Sequence, residues 1–295
     1  MRATFSELIV QSASKNNRFI ALSGDHGYAL FDQLRTNYPS QFLNCGVMEQ
    51  AMVSIAAGLA KEGFIPLVYG LASFVPVRVL EQIKLDVCHS NRSVVFIGDG
   101  AGLVYSTLGS SHHSGEDIAC LKPLPNMKIF APGDAYELKI SYSEALNGEG
   151  PAYIRMGKGD RPSVHQQPLK CSDPVFLKKG ESEACLVTMS SMNSIGVEVA
   201  QKNKLDHLSI IRLKPRTEMV AEYLKNYKKI IVIEEHFAAG GLASTIAESF
   251  FNSGISIPPI LQKSLTQKFA HHCGSYQYAL SEHGLSDAQL LELKF

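Results

Sequence analysis

Short apolar runs, each followed by a helix-length stretch, limit what this chain can fold into more than any other feature. Phe19-Ile-Ala-Leu-Ser ends at Gly24-Asp25, Ile65-Pro-Leu-Val-Tyr precedes a helical pattern over 77–88, and Ser93-Val-Val-Phe-Ile-Gly follows it. Met127-Lys-Ile-Phe-Ala and Pro151-Ala-Tyr-Ile-Arg complete a first set. Runs this short, bounded by Gly, Pro or Asp, read as buried strands, and strands alternating with helices give βαβ units and a parallel sheet. Small and apolar residues at helical spacing from Glu49 to Leu59, stopped by Lys61-Glu62-Gly63, predict one of the intervening helices. From Gly157 to about Lys179 the pattern dissolves into Gly, Pro, Lys, Asp and Gln, which reads as a linker. A second set then begins. Strands are expected at Ala184-Cys-Leu-Val-Thr-Met, Leu208-Ser-Ile-Ile-Arg-Leu and Lys229-Ile-Ile-Val-Ile-Glu-Glu, with helices over 195–202 and 242–251. The fold class is therefore α/β, in two three-layer α/β/α domains at 1–165 and 180–295. A chain of 295 residues suffices for two such cores.

Lys plus Arg and Asp plus Glu both number 28, so no basic excess points to nucleic acid or an anionic membrane as partner. The six cysteines are scattered, without a CxxC pair or a histidine at metal-ligand spacing, and read as free thiols of a reducing compartment. No stretch approaches the ~18 apolar residues of a membrane span. The N-terminus carries Glu7 and no long apolar run, unlike a signal peptide, so a cytoplasmic location is expected.

Several motifs stand in a fixed order. Asn44-Cys-Gly-Val-Met-Glu49-Gln-Ala-Met leads into Ala56-Ala-Gly-Leu-Ala; Ala72-Ser-Phe74, Arg78 and Glu81-Gln82 follow. Next come Gly109-Ser-Ser-His112-His113 with Glu116-Asp117, then Pro125-Asn126-Met, Pro132-Gly-Asp134 and Gly150-Pro-Ala-Tyr-Ile-Arg155. In this order they resemble the pyrimidine-binding domain of the transketolase family. Glu234-Glu235-His236, Gly240-Gly241 and Lys268-Phe269 are similar to that family's C-terminal domain.

The resemblance implies thiamine diphosphate as cofactor, with Glu49 as the carboxyl that hydrogen-bonds the pyrimidine N1′ and so helps the cofactor's own amino group remove the C2 proton. Phe74 would stack on the pyrimidine, the alternative being a core phenylalanine at a strand end. Arg78 faces either the cleft or a surface ion pair with Glu81 at i+3. His112 corresponds to a substrate-handling histidine, able to donate to a developing alkoxide or move its proton, with His113 beside it. Arg155 resembles an arginine that grips a sugar phosphate, a task suited to a bidentate guanidinium, and its alternative is a structural ion pair. Asp25 and His26 are expected to line the site or a subunit interface. Leu108 stands where the family has an Asp that contacts a substrate hydroxyl, which departs from the usual sugar-phosphate recognition.

The family holds the cofactor's diphosphate and Mg²⁺ on a separate domain bearing Gly-Asp-Gly followed by Asn, oxygen ligands suited to a hard cation. Gly98-Asp99-Gly100 and Asn126 match that spacing, but both already belong to the pyrimidine-domain register, and the match reads as accidental. A partner chain, the N-terminal transketolase subunit, is then expected to supply diphosphate and Mg²⁺ binding in a heterotetramer of two plus two chains. The implied reaction is transfer of a two-carbon ketol unit from a ketose, or ketose phosphate, to an aldose. Alternatives are the decarboxylating chemistry of a 2-oxoacid dehydrogenase β subunit or deoxyxylulose-phosphate synthase, and a non-catalytic scaffold subunit.

Overall fold

The computed structural model describes residues 1–157, 160–215 and 218–295. The apolar runs form the strands of two sheets. The first contains β1 (Phe19–Ser23), β2 (Phe42–Asn44), β3 (Ile65–Leu71), β4 (Val95–Asp99), β5 (Lys128–Phe130) and β6 (Ala152–Met156). The second contains β7 (Val175–Lys178), β8 (Ala184–Thr188) and β9 (Asp206–Ser209), with β11 (Lys229–Phe237) and β12 (Ile260–Leu265), while β10 (Arg212–Lys214) returns to the first. The strand orders are β10-β5-β6-β4-β3-β1-β2 and β12-β11-β8-β9-β7. Among the described residues, every pairing of these strands is parallel except β10 with β5 and β7 with β9, each at a sheet edge. The fold is α/β, as the alternation predicts.

Strand periodicity explains why both faces are apolar. Phe19, Ala21, Leu67, Tyr69, Val95 and Ile97 turn to the helices Arg2–Lys15 and Ala135–Asn147. The alternate residues Leu22, Val68 and Phe96 turn to Met52, Val53 and Ala56 of the helix Glu49–Lys61 and to Ile83 and Val87. A strand buried on both faces needs a continuous apolar run, the pattern of a parallel sheet. The same central core continues through Val187, Ile230, Val232 and Ile246 of the second half. On the far face of the second sheet, Leu186, Ile231 and Ile233 pack with Ile195 and Val199 of the helix Met192–Lys202.

Two expectations are corrected. The stretch 208–213 is not one strand: β9 ends at Ser209, and Ile210 and Ile211 carry the chain across to β10 in the other sheet. Ile210 donates its amide to Thr188 while Ile211 accepts from Ala131, so the pair is pinned between the sheets. The expected linker also contains β7, an edge strand with half-buried residues on both faces. Its polar neighbours hide it from a hydrophobicity pattern.

Candidate active site

The first sheet places its functional loops at the carboxyl ends of β1, β3 and β4, where parallel sheets bind ligands. β1 delivers Asp25 and His26, β3 delivers Phe74 and Arg78, and the loop after β4 carries His112. Glu49, the first residue of its helix, closes the group and is 4% exposed. Arg78 Nη1 donates to Glu49 Oε1 at 3.1 Å, and His26 Nε2 lies 3.7 Å from the same oxygen. The Arg78 guanidinium sits 4.0 Å over the Phe74 ring centroid. The rings of His26 and His112 lie 5.7 and 5.3 Å from that of Phe74. Five of the expected residues therefore form one cluster around an aromatic face and a buried carboxyl. The alternative pairing of Arg78 with Glu81 is not made; Glu49 takes the guanidinium instead.

Asp25 sits at the rim with φ 63° and accepts from Asn44 and Tyr28, so its carboxylate shapes the loop beside His26. Ser23 Oγ locks that loop by donating to the His26 carbonyl at 2.7 Å. His112 is half-buried, with Nδ1 2.9 Å from Ser111 Oγ. His113 points elsewhere: it lines a separate cavity with Lys268 and His283, and burial together with the His112 charge lowers its pKa.

Arg155 is corrected. Its side chain is 0% exposed; Nε donates to both Asp117 oxygens at 3.0 and 3.2 Å, and Nη2 donates to the Glu235 carbonyl at 2.7 Å. Tyr153 donates to Asp117 at 2.8 Å. A guanidinium so enclosed is a structural cation and does not face the cleft. Asp99 accepts from Arg2, Tyr69 and Tyr105 at 2.6, 2.7 and 3.0 Å, while the Asn126 amide donates to the Cys88 carbonyl. The Gly-Asp-Gly and Asn side chains thus serve different parts of the first domain.

Sequence reasoning names Glu234-Glu235-His236 as a motif without assigning it work. Glu234 accepts from the Leu242 and Ala243 amides and from Gln262, capping the helix Leu242–Ser253, and burial pushes its carboxyl up to about 7. Glu235 receives the Leu103 amide at 2.7 Å and the hydroxyls of Ser191 and Tyr276, both at 2.5 Å, so it ties the loop that leads to His112 to the second half. The clue lies in Gly102: with φ 76°, a Cβ there would stand 2.3 Å from Glu235 Oε1.

Residues 1–163, more than half of the chain, match the family described as transketolase, pyrimidine binding domain. The chain belongs to the transketolase family. It is 32% identical over 227 residues to an apulose-4-phosphate transketolase subunit of Actinobacillus succinogenes, covering 75% of this chain and 73% of that one. It is 27% identical to the protein of the same name from Phocaeicola vulgatus, covering 98% and 96%. A solved structure described as a split gene transketolase, inactive beta4 tetramer, superimposes with TM-score 0.85 at 25% identity, covering 98% and 95%. The chain is accordingly a C-terminal transketolase subunit of the split type, a transferase component that works with a partner subunit. Family membership implies thiamine diphosphate. The cluster fits it: a carboxyl, an aromatic face and a buried His26 Nε2 that makes no hydrogen bond converge where a heteroaromatic ring needs packing and polar contacts. Among the described residues, no helix is long and apolar enough to cross a membrane.

Proposed function

We propose that this chain holds the pyrimidine end of thiamine diphosphate through Glu49, Phe74 and Arg78, and joins a partner that holds the diphosphate and Mg²⁺. The assembled enzyme moves a two-carbon ketol unit from a ketose phosphate to an aldose. When bound, the cofactor supplies the nucleophilic carbon that adds to the ketose carbonyl. Glu49 presents a carboxyl to the pyrimidine nitrogen from a site shielded from water, which strengthens that hydrogen bond. Phe74 supplies a flat apolar face, and His112, next to it, gives or takes a proton at a substrate hydroxyl. His26 and Asp25 line the rim of the same cleft.

The observation that carries this reading is the buried Glu49 carboxyl inside a ring of Phe74, Arg78, His26 and His112. A partner is supported by what surrounds it. Val47 and Met48, immediately before Glu49, are exposed, as are Ile55 and Leu85. The Ser54–Asp86 hydrogen bond of 2.6 Å holds the segments of those last two together. Apolar surface of this kind marks an interface, and one at the mouth of the cluster suits a chain that completes the site. A two-plus-two heterotetramer has the two-fold symmetry such interfaces favour. The names of the two relatives favour apulose 4-phosphate as the sugar phosphate handled, and the exposed Leu108 leaves room for an atypical substrate.

The test is reconstitution with the partner chain. Glu49→Gln should lower ketol transfer at least about 100-fold while the complex still assembles. Unchanged turnover would instead mark the chain as a scaffold, and release of CO₂ from a 2-oxoacid would favour the decarboxylating alternative.

A further inference from the structure

Four of the chain's ten histidines, His113, His271, His272 and His283, line one cavity of about 260 Å³ together with Lys268. Glu282 is its one acidic lining residue. Among the described residues, no ion pair or side-chain hydrogen bond holds the Lys268 ammonium. The cavity is continuous in its lining with a second one of about 290 Å³, which shares His113, Lys268, Phe269, Ala270 and His283 and adds Glu116. A concave space that gathers one permanent cation and four imidazoles against a single, exposed carboxylate is built for negative charge.

Local geometry sharpens this. The Thr266 amide donates to His283 Nδ1 at 3.1 Å, so that nitrogen is an acceptor and the ring's hydrogen sits on Nε2. His113 enters from the catalytic turn, with its Nε2 buried and without a partner. Burial, Lys268 and His113 together lower the His283 pKa, with Glu282 opposing. Burial first, and positive neighbours second, therefore hold the His113 and His283 imidazoles below their ordinary range, and an anion in the cavity would offset that neighbouring charge. Glu116 at the far side is half-buried, with its pKa raised by burial and by Asp117, which weakens its opposition to an anion. A metal is the other ligand histidines attract, but among the described residues no three His, Cys, Asp or Glu converge in a way that would hold one.

The pocket also has an address. Ser110 Oγ donates to the Ala270 carbonyl at 2.9 Å, and the Gly274 amide donates to the Ser106 carbonyl. The 270–274 loop is therefore laced to the turn that carries His112, whose ring packs on Phe74. From these observations we propose that the cavity lined by Lys268, His113 and His283 binds a phosphate monoester. Its volume, just under the usual range of small-ligand sites, suits a phosphoryl group with a short carbon chain. The phosphoryl group is either the tail of a sugar-phosphate substrate, which rests on the ketol-transfer reading above, or that of a free effector.

The experiment titrates the chain with inorganic phosphate, following the imidazole Cε1–H resonances of His113 and His283. Saturable shifts are expected, with both imidazoles titrating at higher pH when phosphate is bound. Lys268 is exposed, so substitution there spares the core. Lys268→Ala should weaken binding about tenfold or more, as loss of a charged partner does, and Lys268→Arg should retain it. In the reconstituted complex, an increase in KM for a phosphorylated acceptor with kcat kept, and no change with glycolaldehyde, would identify the substrate's own phosphate. Retained phosphate binding with an unchanged KM would identify a free effector. Either outcome supports the pocket. No saturable shift, or equal binding by Lys268→Ala, overturns it. An inactive wild-type complex would count against ketol transfer and leave the phosphate titration standing.

Discussion

Asp117→Ala is the substitution from which the structure predicts the most. Asp117 and Arg155 are both 0% exposed, so solvent does not screen the pair. Removing the carboxylate takes away two acceptor contacts to Arg155 Nε and one from the Tyr153 hydroxyl. It also leaves a guanidinium buried, with Nη1 already lacking a partner and only the carbonyls of Glu235 and Ser114 to face. Breaking a buried pair on one side costs roughly 3–5 kcal/mol, a large share of a typical stability of about 5–15 kcal/mol. At about 2 °C per kcal/mol for a chain of this size, the melting temperature should fall by roughly 6–10 °C. Urea titration and thermal unfolding of the purified chain measure both. The double substitution Asp117→Leu with Arg155→Met removes the stranded charge and should recover most of the loss. It should retain a deficit of about 1–2 kcal/mol for the Tyr153 hydroxyl and the carbonyls left unpaired. A single mutant within about 1 kcal/mol of wild type, or a double mutant as unstable as the single one, would refute the assignment of Arg155 to the framework.

Further outcomes follow from other buried groups. Thr188 spends its hydroxyl hydrogen on Asn193, so His207 Nε2–H donates to Thr188 Oγ1, and burial holds the ring neutral with its pKa lowered to about 3. The unfolded chain then binds the extra proton as pH falls below 6.5. Stability should drop from there towards pH 3 with a slope of up to about 1.4 kcal/mol per unit. His236, lowered to about 4, adds to this limb, and Glu234, raised to about 7, opposes it between pH 4.5 and 7. His207→Gln should flatten the acid limb of urea midpoints plotted against pH; an unaltered limb would contradict the neutral assignment. Gly102→Ala combines a positive φ with a Cβ 2.3 Å from Glu235 Oε1, and should cost about 2–3 kcal/mol in urea unfolding. A change under about 0.5 kcal/mol would show that the Glu235 contact yields freely.

Much of the fold was legible because the central strands are apolar on both faces. Val95–Asp99 and Lys229–Phe237 read directly from their runs. The edges were not. Val175–Lys178 is half-buried throughout, and its three apolar residues, Val-Phe-Leu, lie in a polar stretch and are too few to stand out as a strand. Ile210-Ile211 was misread for the opposite reason: both residues are fully buried, and no Gly or Pro punctuates the place where the chain leaves one sheet for the other. In the candidate site, Glu49, Phe74 and His112 stand out through motif order and His26 through its place after the first strand, while for Arg78 the motif order left the cleft and a pairing with Glu81 equally open. Arg155 was not, because its environment depends on Asp117, 38 positions away in sequence, and on a carbonyl of the second half. Local sequence around an arginine at a strand end is the same whether it meets a ligand or a buried carboxylate.

The short strand Arg212–Lys214, set antiparallel against Lys128–Phe130, has a consequence for how the molecule can be divided. A truncation after residue 165 would strip the first sheet of its border and leave Lys128–Phe130 as an open rim, ready to recruit strands from other molecules. It would also remove the apolar partners that Ile129 and Ala131 find in Leu213 and Val220. The two halves look like separable modules in sequence, yet the second finishes the first sheet, so a fragment of the first half should aggregate where the intact chain folds.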